Sequence, residues 1–206
     1  MTEAPLARLS FSCKCGSVAG ELFDVGPDQG THCVCYCSDC RAFGQLCGGE
    51  TLDARGGTAL FQTSSARLRI DQGHEHIECV RLSEKGMNRW RATCCGAALT
   101  TTVRSSWVML AGIIDERLGS SAAEREAAVG PVRGAVFFRD SSVTPLHPPL
   151  GAAGVAGAAI RAMKVLTVDR LKRRRPALGS ADGVPTKPRI LPPATVAELK
   201  ARPVQP

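Results

Sequence analysis

A chain of 206 residues, 44% apolar but only 4% aromatic, suits one domain of ordinary size with a core of small side chains. The formal charge of +7 is lopsided: residues 1–150 carry 15 Lys/Arg against 16 Asp/Glu, whereas residues 151–206 carry 11 against 3. The basic excess therefore belongs to the tail and gives no reason to read the rest as a nucleic-acid surface, and no aromatic residue after Phe138 could stack a base.

The first residues show no basic segment followed by an apolar one, and no run of about 20 purely apolar residues occurs. The expected compartment is cytoplasmic and reducing, with no transmembrane segment. In chain order, short strands are predicted over Ala7–Ser12, Ser17–Leu22, His32–Tyr36, Thr58–Gln62, Ala66–Asp71, Ile77–Leu82, Trp90–Thr93 and Ala98–Val103. Arg67-Leu68-Arg69-Ile70 alternates at period 2, and Gly56-Gly57 marks the turn before Thr58. Trp107–Ile114 fits strand or helix by periodicity, and its β-branched end favours strand. Ser121-Ala122-Ala123-Glu124 has capping-box spacing and starts a short helix that Gly130-Pro131 stops, before a strand over Val132–Arg139.

Composition changes at Pro145-Leu146-His147-Pro148-Pro149. The expected organisation is a mainly β domain over residues 1–144, a Pro-rich linker over 145–150 and a helical to irregular basic extension over 151–206. In the extension, Ala152–Leu171 reads as a helix with Val155, Ala159, Met163 and Leu166 on one face, expected to dock on the β domain. Lys172-Arg173-Arg174-Arg175 then lies in water, with weak membrane-surface contact as the alternative. A last short helix starts at Thr195.

Ten cysteines fall mostly into three groups: Cys13-Lys14-Cys15, Cys35-Tyr36-Cys37-Ser38-Asp39-Cys40 and Cys94-Cys95. In a reducing compartment such spacings read as metal ligands rather than disulfides. Cys-x-Cys on a strand puts both sulfurs on one face, and Cys-x-x-Cys wraps a turn so that both converge. Because tetrahedral zinc takes four ligands, seven clustered thiolates imply one closed structural site and one with a free fourth position. Isolated Cys47 and Cys79 read as buried apolar residues. Cys33 precedes Cys35 by two residues on the same strand face and is the candidate to close the second site. His74-Glu75-His76 reads as an exposed turn, with a metal-binding pair as the alternative, His32 as a structural hydrogen-bonder or a proton shuttle, and Asp39 as a turn acceptor or an acid–base group. Tyr36 reads as packing, and Arg41 as either the cation that offsets thiolate charge or a solvent-facing one.

Cys13-Lys14-Cys15-Gly16, Cys35-x-Cys37-x-x-Cys40-Arg41 and the late Cys95-Gly96, with Gly56-Gly57-Thr58-Ala59-Leu60-Phe61 and Ser83-Glu84-Lys85-Gly86, resemble the glutathione-dependent formaldehyde-activating enzyme family, which includes centromere protein V. The resemblance spans roughly residues 10–115. It implies a small zinc-containing fold of twisted β-sheets. Cys13, Cys15, Cys94 and Cys95 would hold a structural zinc, and Cys35, Cys37 and Cys40 a catalytic one. The chain differs from the family where Tyr36 replaces a histidine and where Cys94 and Cys95 are adjacent, which points to a divergent branch. A zinc-dependent carbon–sulfur lyase, or an enzyme forming hemithioacetals from a small thiol such as glutathione, is the implied activity. The alternatives are a non-catalytic zinc-stabilised binding module and, on the sulfur content alone, an iron–sulfur protein.

Overall fold

The computed structural model describes residues 6–105, 107–138, 144–179, 184 and 187–204, and among these residues the chain forms two sheets and four α-helices. Strands β1 (Ala7–Ser12), β2 (Ala19–Val25) and β5 (Leu68–Gln72) form a small antiparallel sheet in the order β1-β2-β5. The large sheet contains β3 (Thr31–Cys35), β4 (Thr58–Ser64), β6 (Ile77–Arg81), β7 (Asn88–Ala92), β8 (Ala98–Thr102) and β9 (Leu110–Ile114). Two-residue edge strands β10 (Ala135–Val136) and β11 (Arg189–Ile190) complete the order β10-β3-β4-β9-β8-β7-β6-β11. All its internal pairings are antiparallel, and the two edges add in parallel.

Alternation along the strands sorts the side chains onto two faces. Phe61, Trp90, Ile113 and Leu99 of the large sheet pack with Leu9, Phe11, Leu22 and Leu68 of the small one. Each such burial contributes about 1.5–3 kcal/mol. The opposite face carries Cys35, Leu60, Ala98 and Ile114 and is covered by Phe43 from helix α1 (Ser38–Leu46). Register skips Leu99 between the pairs Trp90–Thr100 and Arg91–Ala98. This bulge lets Leu99 and Trp90 share one face, while Arg89, Thr101, Gly112 and Gln62, paired in one cross-strand row, fall on the other.

The remaining helices are α2 (Ala122–Val129), α3 (Gly151–Leu171) and α4 (Pro193–Ala201). Ser121 caps α2 by accepting from Glu124 N at 3.2 Å, as its spacing predicts. Helix α4 begins two residues before the expected Thr195 and packs on α1 through Val196, Leu199, Ala42 and Leu46. The expected strand over Val132–Arg139 contracts to Ala135–Val136, since Gly134 and Phe137 both take positive φ, and Arg139 lies outside the described residues. Leu146 N donates to the Tyr36 hydroxyl at 3.0 Å and Leu150 N to Ala135 O at 3.0 Å, so the proline-rich segment runs along β10.

Helix α3 corrects one expectation. The face chosen from sequence is not the packed one: Val155 and Ala159 are exposed along an open groove beside β10, Met163 is exposed and Leu166 half-buried, whereas Val165 and Asp169 are the buried positions. With 21 residues it is also long and apolar enough, by length and composition alone, to cross a bilayer. Its attachment is ionic. Arg67, buried at the end of a 3-10 turn, donates to Asp169 at 2.9 Å, and Arg174 bridges Asp169 at 2.8 Å and Asp24 at 2.6 Å. Arg174 therefore belongs to a structural network rather than to the solvated end of a basic run.

Candidate metal centres

Sulfur atoms gather at two places. The first is a clamp between sheets. Cys13 and Cys15 lie in the β1–β2 loop, and Cys94 and Cys95 in the β7–β8 loop. All four Sγ atoms lie within 4.8 Å of one another. Cys13–Cys15 is 3.6 Å, Cys13–Cys94 3.8 Å, Cys15–Cys94 3.4 Å and Cys94–Cys95 4.0 Å. Zinc–sulfur bonds of about 2.3 Å in a tetrahedron put sulfurs about 3.8 Å apart, so the spacing fits a zinc. Adjacent Cys94 and Cys95 both reach the cluster because Gly96 takes φ of +75° and donates from N to Ala92 O at 2.9 Å, curling the loop. The Ser17 hydroxyl and backbone N–H lower the Cys15 thiol to about 6.

Cys35, Cys37 and Cys40 form the second group, also within 4.8 Å of one another. Cys35 ends β3. Cys37 caps α1, its sulfur accepting from Cys40 N at 3.3 Å, and Cys40 sits in the first turn. The helix was not expected, although Ala42, Phe43, Leu46 and Cys47 follow helical spacing. Its N-terminal N–H groups favour anionic sulfur beside them. Cys35 Sγ lies 3.5 Å from Cys37 Sγ. Hydrogen bonds from Cys35 and Cys37 hold the Cys40 thiol well below the usual range, helped by Arg89 and despite burial. Cys35, the donor in that exchange, is pushed up.

The cation beside this trio is Arg89, which sequence reading missed. Its side chain is 4% exposed, with Nη1 3.8 Å from Cys40 Sγ, Nη2 3.9 Å from Asp39 and the guanidinium over the Phe43 ring at 5.6 Å. Three thiolates around a divalent ion leave one net negative charge, which Arg89 offsets. Arg41, the sequence candidate, points away and donates to Lys200 O at 3.0 Å. Only the strand register brings Arg89 here. The available signal was a cation next to Trp90 in an alternating strand.

A cavity of about 630 Å³ opens over the trio, with Leu60, Gln62, Met87, Thr101, Val103 and Leu110 in its walls. Cys33 is buried outside the sulfur trio, its thiol pushed up to about 12 by burial and by Cys40. Cys47 and Cys79 are buried too. His32 lies on the opposite face of β3, pairing in register with Phe61; Nδ1 is 2.8 Å from Gly130 O and Nε2 3.3 Å from Asp115. His74 and His76 occupy an exposed 3-10 turn. Asp39 lines the cavity and pairs with Lys200 at 2.6 Å. Tyr36 is buried and donates to Asp53 at 2.6 Å; a Cβ on Gly57 would come 2.6 Å from its ring, which explains the glycine there.

A family model described as a family of unknown function, DUF6151, matches residues 6–156, which include both sulfur groups. The chain belongs to the DUF6151 family. A crystal structure of a Rhodobacter sphaeroides protein is similar to this DUF6151 chain at a TM-score of 0.43 and 20% identity, over 60% of this chain and 96% of that one. No curated protein matches it.

Proposed function

We propose that the DUF6151 chain holds two zinc ions, a structural one in the tetrad and a reactive one in the trio, and acts as a carbon–sulfur lyase or hemithioacetal-forming enzyme on a small thiol. The observation that carries this reading is the contrast in ligand number and surroundings: four sulfurs clamp two loops, whereas three stand at the base of a cavity. The cysteine spacings shared with the glutathione-dependent formaldehyde-activating enzymes support the same reading, and the fold of that family is proposed here with it.

Zinc held by Cys35, Cys37 and Cys40 would supply a sulfur-seeking position that lowers the pKa of an arriving thiol. Arg89 keeps the trio from repelling that second anion. In the reaction the thiol sulfur bonds to a carbonyl carbon, the carbonyl π pair moves to oxygen, and the thiol proton ends on that oxygen. Reversal breaks the carbon–sulfur bond and restores both partners. Gln62 and Thr101, on the cavity wall, are placed to hydrogen-bond the carbonyl oxygen.

A zinc-stabilised binding module is the second reading, favoured by the structural duty of Cys37 as a helix cap. Cobalt substitution separates the two. Ethanethiol is expected to change the absorption of a two-cobalt protein and to lose that effect in Cys37→Ser, because serine keeps the cap but weakens the metal site. A spectrum indifferent to thiols would leave the module as the answer.

A further inference from the structure

The trio's cavity does not end at its own walls. Gln62, Leu110 and Phe137 are shared with a second cavity of about 650 Å³, which runs between β10 and α3 and is walled by Val136, Leu150, Val155, Ala159 and Ala162. No ionisable side chain lines the second cavity among the described residues. In the first, the described ionisable side chains are the three thiols of the trio with Arg89 and Asp39, and those last two are both engaged at the sulfur end, one with Cys40 and the other with Lys200. A tripeptide thiol such as glutathione would bring two carboxylates and an ammonium into this space with nothing to pair them, and unpaired buried charge is expensive.

Phe137 stands where the cavities meet. Its φ of 53° lies in the left-handed region, which aromatic residues rarely adopt, and its side chain is 64% exposed although it belongs to both linings. Local strain held at a junction of this kind is a common mark of a ligand clamp.

The geometry points to a substrate thiol with an apolar chain, its sulfur at Cys35, Cys37 and Cys40 and its tail running past Phe137 into the space beneath α3. This specificity rests on the reading of the trio as the thiol site, and the two stand or fall by different measurements. Calorimetric titration of the zinc-loaded full chain with ethanethiol, butanethiol, hexanethiol and octanethiol should show affinity rising about fourfold per methylene, with glutathione weaker than butanethiol. Ala159→Trp, which fills the second cavity from an exposed position, and Val155→Asp, which charges it, should each cut octanethiol affinity tenfold or more. Affinity independent of chain length, glutathione binding more tightly than hexanethiol, or octanethiol indifferent to both substitutions would overturn the proposed specificity. The thiol-site reading is checked separately with 1-octanol, which has the tail without the sulfur. Octanol matching octanethiol on the zinc-loaded chain would sink that reading and the substrate thiol with it.

Discussion

Four sulfurs between two sheets and three sulfurs at the base of a cavity put the same element in opposite surroundings. The tetrad draws on loops distant in sequence, 13–15 and 94–95, so a bound ion closes a long stretch of chain and ties the small sheet to the large one. The trio comes from six consecutive positions, 35 to 40, whose conformation α1 and β3 already set. A metal adds little to the stability of a segment that strand and helix already hold, which is the role the proposed function requires of the trio. Ligand number alone does not make this distinction; the distance along the chain between ligands does.

The contrast can be broken most directly by serine substitution. Cys15→Ser should remove one metal and lower the melting temperature steeply, since structural zinc sites contribute on the order of 10 kcal/mol to folding. Cys37→Ser should also remove one metal yet leave melting within a few degrees, as followed by circular dichroism beside metal analysis. Equal losses of stability would erase the division of labour.

Arg89 sharpens it. Arg89→Met should weaken the trio's hold on metal by about tenfold against a chelator, because a charge-assisted contact contributes about 1.5–3 kcal/mol, and leave the tetrad's ion in place. Arg41→Met should change neither.

Acid should act on both centres, since binding releases thiol protons and affinity falls with pH. In metal-stripped protein the two groups part. Cys15, lowered to about 6 and exposed, is thiolate above that pH and loses it below, so its alkylation should be the fastest and fall about tenfold per unit beneath pH 6. Cys33 and Cys47, raised to about 12 by burial, should stay unlabelled at neutral pH, as peptide mapping would show.

The smallest effects concern the residue inside each Cys-x-Cys. Tyr36→Phe removes a buried hydroxyl with two partners and should cost about 1–3 kcal/mol in denaturant unfolding. Lys14→Ala breaks only an ion pair whose lysine side chain is 62% exposed, and should leave the denaturant midpoint unchanged.

Much of this was readable from residues. Most strands follow from alternation and glycine turns, and the three cysteine groups follow from their spacing, whereas the union of Cys13 and Cys15 with Cys94 and Cys95 was implied only by the family resemblance. Helix α1 was hidden because Cys37-x-x-Cys40 reads equally as a metal-binding turn and as a cap with its first turn. Arg89 could not be found, since its arrival beside Cys40 depends on the register across β7, β8 and the bulge at Leu99. The orientation of α3 failed for another reason. A helix apolar on every side gives its periodicity no phase, and a single buried carboxylate, Asp169, fixes the rotation that the alanines and valines leave undetermined.

The phenol of Tyr36 has a reach beyond packing. Its ring lies between the first two sulfurs of the trio in sequence, and its oxygen is held at once by Asp53, before the Gly56-Gly57 turn, and by the backbone N–H of Leu146, shortly before α3. The strap from residue 144 to 150 is therefore tied, through this side chain, to the peptide that joins Cys35 to Cys37. The strap that borders the space under α3 through Leu150 and the strand that carries the first sulfur are thus joined by one hydroxyl.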